Sequence, residues 1–328
     1  MQAVNLLDEP RCKDITAQIE SCMNTLTQDS GPVHPILSYL VSTGGKRLRP
    51  LLLIWTAEAS AEDSGASPDE SDVLEVASAF ELVHLASLVH DDIIDGATER
   101  RGLPAAHTVW GIHSAVLAGD YLFTRANRVV LQHAGRGIAS LLNQAIELTC
   151  EGEIAQDSRL FDLDVTEREY LSHICKKTAS LVGAACQAGA ILGGAAAEVE
   201  EAMLRFGVEL GCAFQIADDV IDLISPSPVS GKPPYNDIRR GVLTLPLILA
   251  KESSAKETLS KVFAEKSVSD EEILSIKRAC IEEGCVDRAR QSAELLAKLA
   301  ESRLSCLKPS ESKALLVSAA RSVAHRLS

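Results

Sequence analysis

The chain has 328 residues, enough for one large domain or two ordinary ones at about 150 residues each. Apolar residues at 46% and charged residues at 24% are globular proportions and exclude global disorder. Basic side chains number 32 and acidic ones 46, so the formal charge is −14; this argues against nucleic acid or an acidic membrane as the main partner but leaves room for a local basic pocket.

The N-terminus, MQAVNLLDEPRCKD, lacks the charged start and apolar run of a signal peptide, and is neither Arg- and Ser-rich nor acid-poor like a transit peptide. The nine cysteines form no CxxC pair, and their odd number reads as reduced thiols of a cytoplasmic protein rather than a disulfide framework or a zinc cluster.

In chain order, the polar stretch Ala61 to Asp72 is a break. Residues 73–95, VLEVASAFELVHLASLVHDDIID, form a helix apolar on nearly all sides that ends in acid. Gly102-Leu103-Pro104 is a turn, and Gly135 to Gly137 is another break. A capping box, Thr166-x-x-Glu169, opens the helical segment EYLSHICKKTASL. Leu181 to Ala197 is long enough to approach a membrane span, but its Gly and Ala content and Gln187 near its middle read as a helix packed closely on others; no transmembrane segment is expected. Residues 203–222, MLRFGVELGCAFQIADDVID, form a second helix apolar all round and ending in acid. Ser225 to Gly241, rich in Pro, is a break, and Ser269-x-x-Glu272 opens the last clearly capped helix. Nothing reads as a strand. The sum is all-α, about a dozen helices in a single domain over residues 1–328.

The two acidic helix ends carry the chemistry. Asp91, Asp92 and Asp95 form one DDxxD triplet; Asp218, Asp219 and Asp222 form the other. Residues i and i+4 share a helix face one turn apart, so Asp91 pairs with Asp95 and Asp218 with Asp222. Like charges this close repel, and the helix dipole disfavours anions at a C-terminus, so the pairs are costly unless cations bind. Oxygen-only ligands select a hard ion, and Mg²⁺ with bridging phosphates fits best. One such triplet could be no more than a solvated helix end; two, each closing an apolar helix, point to metal sites.

Basic residues accompany both: Arg100 and Arg101 after the first triplet, Lys232, Arg239 and Arg240 after the second, and Lys46, Arg47 and Arg49 upstream. Lys and Arg beside metal-binding carboxylates suit a polyphosphate. Gly44-Gly45 is not a Walker loop, which argues against a P-loop NTPase.

These residues resemble the trans (head-to-tail) isoprenyl diphosphate synthases. The matching stretches, in family order over roughly residues 35–250, are GGKRLRP (44–50), ELVHLASLVHDDIID (81–95), ERRG (99–102), AVLAGDYLF (115–123), KKTASL (176–181), FQIADDVID (214–222), Gly231-Lys232 and the run from Asp237 to Thr244-Leu245-Pro246. The resemblance implies a helical bundle around a central cavity, usually a homodimer, and Mg²⁺-dependent condensation of isopentenyl diphosphate with an allylic diphosphate. It also implies that Asp91, Asp95, Asp218 and Asp222 bind metal, with Asp92 and Asp219 in support. Lys46, Arg49, His84 and Arg101 would hold isopentenyl diphosphate. Arg100, Lys177, Thr178, Gln215 and Lys232 would hold the allylic diphosphate, and Lys177 counts with the six aspartates as catalytic. His84 within an apolar helix could equally be a satisfied core residue; its place two turns before Asp91 favours the ligand role. Val242 departs from the pattern, standing where short-chain relatives often carry Lys, which puts one contact to the allylic substrate in doubt.

The family uses the turn before the first triplet as a chain-length ruler. Ala86 and Ser87 are small there, which leaves an apolar passage open and suggests a long product of roughly C30 to C50, as in quinone side chains. A geranylgeranyl or farnesyl diphosphate synthase is the alternative, should a residue deeper in the passage stop growth. A class I terpene cyclase would pair one aspartate motif with an Asn/Ser/Glu-type motif, and a non-catalytic synthase subunit would have lost metal aspartates; the six aspartates here favour neither.

Overall fold

The computed structural model describes residues 9–225 and 235–326. Its first elements are α1 (Pro10–Leu26), α2 (His34–Ser42), α3 (Leu48–Ser64), α4 (Glu70–Ile94), β1 (Glu99–Arg100), β2 (Leu103–Pro104), α5 (Ala106–Trp110), α6 (Ile112–His133) and α7 (Gly135–Asp157). Then come α8 (Glu167–Ile174), a π-helical turn (Cys175–Ala179), α9 (Ser180–Leu192), α10 (Ala197–Ile224), α11 (Asn236–Arg240), α12 (Leu245–Leu249), α13 (Lys256–Glu265), α14 (Asp270–Glu282), α15 (Cys285–Arg303) and α16 (Glu311–Arg326). The fold class is all-α, as the sequence indicates. Two compact units are present: Met1–Ile146, Leu181–Gly207 and Arg303–Ala319 make the first, and Glu147–Ser180, Val208–Ser302 and Ala320–Ser328 the second.

In the first unit α4 is the central rod. It packs against α1, α3 and α6, which explains why it is apolar all round: a helix with neighbours on several sides has no solvent stripe to make polar. Asp69 caps its start, accepting from the backbone N–H of Ser71 at 2.8 Å. Val76, Phe80, Leu82 and Ala86 are fully enclosed. By length and composition α4 is the one described helix that could cross a membrane, but 67% of the qualifying stretch is buried within the protein, as expected of a core helix. The Gly/Ala-rich α9 packs directly on α3. A Cβ on Gly189 would lie 2.3 Å from the Leu53 carbonyl oxygen, so the small residues permit a backbone-to-backbone approach.

The one two-stranded sheet among the described residues is the β1–β2 hairpin, with Glu99 opposite Pro104 and Arg100 opposite Leu103. Its two-residue turn, Arg101-Gly102, has positive φ at both positions (54° and 76°), the primed-turn geometry that matches strand twist. The sequence pattern places the turn at 102–104 and gives no strand; two-residue strands are too short to carry a period-2 signal.

In the second unit, α12 and α13 pack with α14, and α8 packs with α12. Ile216, Ala217 and Val220 of α10, Leu259 and Val262 of α13, and Ile273 and Ile276 of α14 are fully enclosed. Both capping boxes are formed: Thr166 Oγ1 accepts from the Glu169 N–H at 3.2 Å, and Ser269 Oγ from the Glu272 N–H at 3.2 Å. The segment after Thr166 differs from one uninterrupted α-helix, because residues 175–179 widen into a π turn.

Candidate active site

The first carboxylate triplet closes α4, with Asp95 at the cap position. Its middle member, Asp92, is buried and gripped by Arg100 from β1: Nε lies 2.7 Å from Oδ1 and 2.8 Å from Oδ2, and Nη2 lies 2.5 Å from Oδ1. This fork compensates a charge that burial would otherwise make costly. Asp91 and Asp95 stay partly open on either side of it. Arg100 is thus engaged by Asp92, in addition to any role toward the allylic diphosphate.

A cationic cluster surrounds His84, two turns back on α4. Burial, and then Arg49, Arg101, Arg100 and Arg47 in that order, hold its imidazole well below the usual histidine range. The ring is half-buried and neutral, a hydrogen-bond donor to an anion rather than a cation. Arg101 donates to the Gly44 carbonyl oxygen, and its guanidinium lies where a Cβ on Gly45 would be, 2.5 Å from Nη1. Glycine at 45, with φ +143°, is therefore required both by backbone conformation and by this approach. Lys46 is exposed and Arg49 half-buried at the start of α3. Arg47 between them turns inward: it is 2% exposed, pairs with Glu81 of α4 at 3.1 Å and donates to the Val41 carbonyl oxygen at 3.1 Å. It ties the GGKRLRP loop to the helix that carries His84. The structure therefore brings Arg49, His84, Arg100 and Arg101 together. Ala86 is fully enclosed, whereas Ser87, donating to the His84 carbonyl oxygen at 2.8 Å, keeps part of its surface open.

The second triplet repeats the plan near the end of α10. Its middle member, Asp219, is 6% exposed; the Tyr170 hydroxyl donates to Oδ2 at 2.6 Å and the Gln215 amide to Oδ1 at 2.8 Å. Burial, then Asp237, push its carboxyl well above the usual range, while these two hydrogen bonds oppose the shift. Thr178 donates to Gln215 Oε1 at 2.8 Å, so Thr178, Gln215, Asp219 and Tyr170 form one chain. Asp218 faces outward, and Asp222 accepts from the backbone N–H groups of Asn236 at 3.4 Å and Asp237 at 3.2 Å. Lys177, on the π turn, pairs with Glu153 and reaches Gln156 Oε1 at 3.3 Å. Val242 donates its N–H to the Asp237 carbonyl oxygen at 2.9 Å. Lys232 lies outside the described residues.

Sequence reasoning missed Tyr170 and the inward role of Arg47. Neither has a local signal: Tyr170 follows a capping box by one residue, and Arg47 reads like its exposed neighbours.

Among the described residues no group of three His, Cys, Asp or Glu converges to hold a metal unaided. Each triplet instead offers an outer i, i+4 pair of carboxylates around an anchored centre. That donor set fits Mg²⁺, which is commonly held by one or two carboxylates, waters and substrate phosphate oxygens rather than by an all-protein cage.

Residues 32–280 match the family model described as polyprenyl synthetase. The chain is 35% identical over 294 residues to the short chain isoprenyl diphosphate synthase of Methanothermobacter thermautotrophicus, covering 88% of each. It is 35% identical over 283 residues to the chloroplastic solanesyl diphosphate synthase 2 of Arabidopsis thaliana, covering 84% of this chain and 67% of that protein. The crystal structure of a polyprenyl synthase from Caulobacter crescentus, complexed with calcium and isoprenyl diphosphate, superposes with a TM-score of 0.90 at 30% identity, covering 99% of each chain. With a family match over three quarters of its length, two of its relatives at 35% identity and this likeness of fold, the chain belongs to the polyprenyl synthetase family.

Proposed function

We propose that this protein catalyses the Mg²⁺-dependent condensation of isopentenyl diphosphate with an allylic diphosphate to give an all-trans polyprenyl diphosphate. The observation that carries this reading is the repeated plan of the two triplets: a buried central aspartate anchored by protein donors, Arg100 for Asp92 and Tyr170 with Gln215 for Asp219, flanked by an outer i, i+4 carboxylate pair. The family match extends through residues of both units, which supports reading 1–328 as one synthase domain.

Asp91 and Asp95, and Asp218 and Asp222, hold the cations, whose charge stabilises the diphosphate leaving group. Lys46, Arg49, Arg101 and neutral His84 hold isopentenyl diphosphate by charge and hydrogen bond. Arg100, Lys177, Thr178, Gln215 and Lys232 hold the allylic diphosphate and steady the charge that develops as its C–O bond breaks. Apolar surroundings protect the allylic cation from water until the isopentenyl double bond attacks it, and a proton is then lost. The departing diphosphate is a suitable base, so no side-chain nucleophile is needed.

Chains such as the Arabidopsis solanesyl enzyme favour a long product, consistent with small residues at 86 and 87. A shorter product is the second reading, favoured by the name of the Methanothermobacter relative. A homodimer fits the exposed Ile112, Val116 and Leu117 of α6, a concentration of apolar surface that a partner copy would cover. A cytoplasmic location fits nine free thiols.

The test is incubation of the purified chain with isopentenyl diphosphate, farnesyl or geranylgeranyl diphosphate and Mg²⁺, followed by mass analysis of the prenyl alcohols. Extended all-trans products support the proposal, and their length decides between the two readings. A chain that consumes the allylic substrate without isopentenyl diphosphate is a cyclase, and an inert one is a non-catalytic subunit; either result overturns it.

A further inference from the structure

Asp222 is oriented from outside its own helix, and Lys277 of α14 grips the segment that orients it. Both Asp222 oxygens accept from the start of α11: Oδ1 from the Asn236 N–H at 3.4 Å and Oδ2 from the Asp237 N–H at 3.2 Å. Lys277 is half-buried. Its ammonium donates to the Ile224 carbonyl oxygen at 2.6 Å and to the Tyr235 hydroxyl at 3.2 Å, and lies 5.2 Å from the centre of the Tyr235 ring. Ile224 is the last residue of α10, and Tyr235 immediately precedes α11. One side chain therefore fastens the end of the helix that carries the second triplet to the start of the segment whose N–H groups hold Asp222.

Two further facts single out this contact. The last turn of α10 has no basic residue of its own, although a helix C-terminus favours a cation and this one follows closely on three aspartates. The ammonium comes instead from another helix. Tyr235 is left-handed, with φ 62° and ψ 32°, a conformation that is strained for a residue with a Cβ and persists where surrounding contacts impose it. Lys277 meets both its hydroxyl and its ring. Asp270, two turns before Lys277 on the same face of α14, pairs with Arg239 towards the other end of α11. Both of those side chains are exposed, so their pair adds little beside Lys277.

We propose that Lys277 is a positioning residue for the second carboxylate pair: it sets Tyr235 and the N–H groups of Asn236 and Asp237 so that Asp222 is held ready, with Asp218, for a divalent cation. Without the ammonium, Tyr235 loses a partner of its hydroxyl and of its ring, and the N–H groups that follow it can withdraw from Asp222. Groups that orient a metal-binding carboxylate govern metal affinity nearly as much as the ligands do. The consequence for metal and substrate rests on the synthase reading; the effect on the α11 N–H groups does not.

The test compares the full chain with Lys277→Met, which keeps an apolar stem and removes the donors, and Lys277→Arg, which keeps charge and donors. Hydrogen exchange is measured first, without ligand. The amides of Asn236 and Asp237 should exchange about tenfold faster in Lys277→Met, as expected for loss of a charged hydrogen bond nearby, and close to the wild-type rate in Lys277→Arg. Thermal unfolding is then followed as Mg²⁺ is added with inorganic diphosphate. The Mg²⁺ needed for half of the stabilisation should rise about tenfold in Lys277→Met and be restored by arginine. In turnover assays the KM for the allylic diphosphate rises with that requirement, while the KM for isopentenyl diphosphate, whose proposed ligands lie in the first unit, does not change. If Lys277→Met fails to fold, Tyr235→Phe removes the hydroxyl alone and carries the same test, with a smaller effect of the same sign. Unchanged exchange at 236 and 237 overturns the positioning role whether or not the chain is a synthase. So does an unaltered Mg²⁺ requirement, or a loss shared equally by both substrates. A wild-type chain that Mg²⁺ and inorganic diphosphate do not stabilise overturns the synthase reading and the positioning role with it, a result that the exchange rates keep distinct from failure of Lys277 alone.

Discussion

Tyr170 and Asp219 are joined by a hydrogen bond of 2.6 Å between two buried groups, the phenol pushed well above its usual pKa by burial and by that carboxylate. The bond fixes the middle carboxylate of the second triplet from outside its own helix, leaving Asp218 outward. Tyr170→Phe removes a hydrogen-bond donor from a buried carboxyl group and adds nothing in its place. The expected cost is roughly 1–3 kcal/mol of stability in urea unfolding. The Mg²⁺ concentration needed for half-maximal activity should also rise by about tenfold, because groups that orient metal-binding carboxylates govern affinity nearly as much as the ligands do. An unchanged Mg²⁺ requirement would show that Asp219 needs no fixing by Tyr170.

His84 gives the chain an acid sensitivity. Burial and four arginines hold its folded pKa well below 6.5, so between those values the unfolded chain takes up a proton that the folded chain does not. Stability therefore falls as pH drops below about 6.5, and is unaffected by this group at pH 7.5. In His84→Asn the difference between denaturation midpoints at pH 7.5 and 5.5 should shrink accordingly. The same variant keeps a neutral N–H donor, so its KM for isopentenyl diphosphate should rise less than that of His84→Ala. Equal losses would argue that the ring only fills space.

The elements most legible in the sequence are those with strong local signals. The all-apolar character of residues 73–95 gives α4, the Thr166 and Ser269 boxes give two helix starts, and DDxxD spacing gives both carboxylate pairs. The resemblance to known synthases, rather than periodicity, supplies His84, Arg101, Thr178 and Gln215 as site residues. What stays hidden are relations between distant segments. Arg47 and Arg49 are both basic residues at a helix start, and only the position of Glu81 on another helix turns one inward. The π turn has no composition of its own, and the Thr178–Gln215 and Tyr170–Asp219 pairs are separated by 37 and 49 residues.

Gly45→Ala should damage binding of one substrate in particular. A methyl group there meets the Arg101 guanidinium, the movable end of a long side chain, so the clash displaces Arg101 rather than the fold. The φ of +143° adds strain of about 1–3 kcal/mol for any residue with a Cβ. Steady-state kinetics should show a KM for isopentenyl diphosphate raised several-fold with the KM for the allylic diphosphate nearly unchanged. A loss shared equally by both substrates would remove Arg101 from the isopentenyl side.

Ala86 and Ser87, adjacent on α4, should respond differently to the same bulky side chain. Ala86 is 0% exposed, so phenylalanine there has no space to enter and must push neighbouring helices apart, at a cost of about 1–3 kcal/mol. Ser87 keeps part of its surface open, and its hydroxyl is spent on the His84 carbonyl oxygen, a bond phenylalanine forgoes at roughly 1 kcal/mol. If chain growth passes this turn of α4, Ser87→Phe shortens the prenyl product while the protein stays folded, whereas Ala86→Phe lowers the unfolding temperature first. Mass analysis of products and thermal unfolding of the two variants, side by side, separate the effects. An unchanged product distribution from a folded Ser87→Phe enzyme would place the determinant of chain length on another helix.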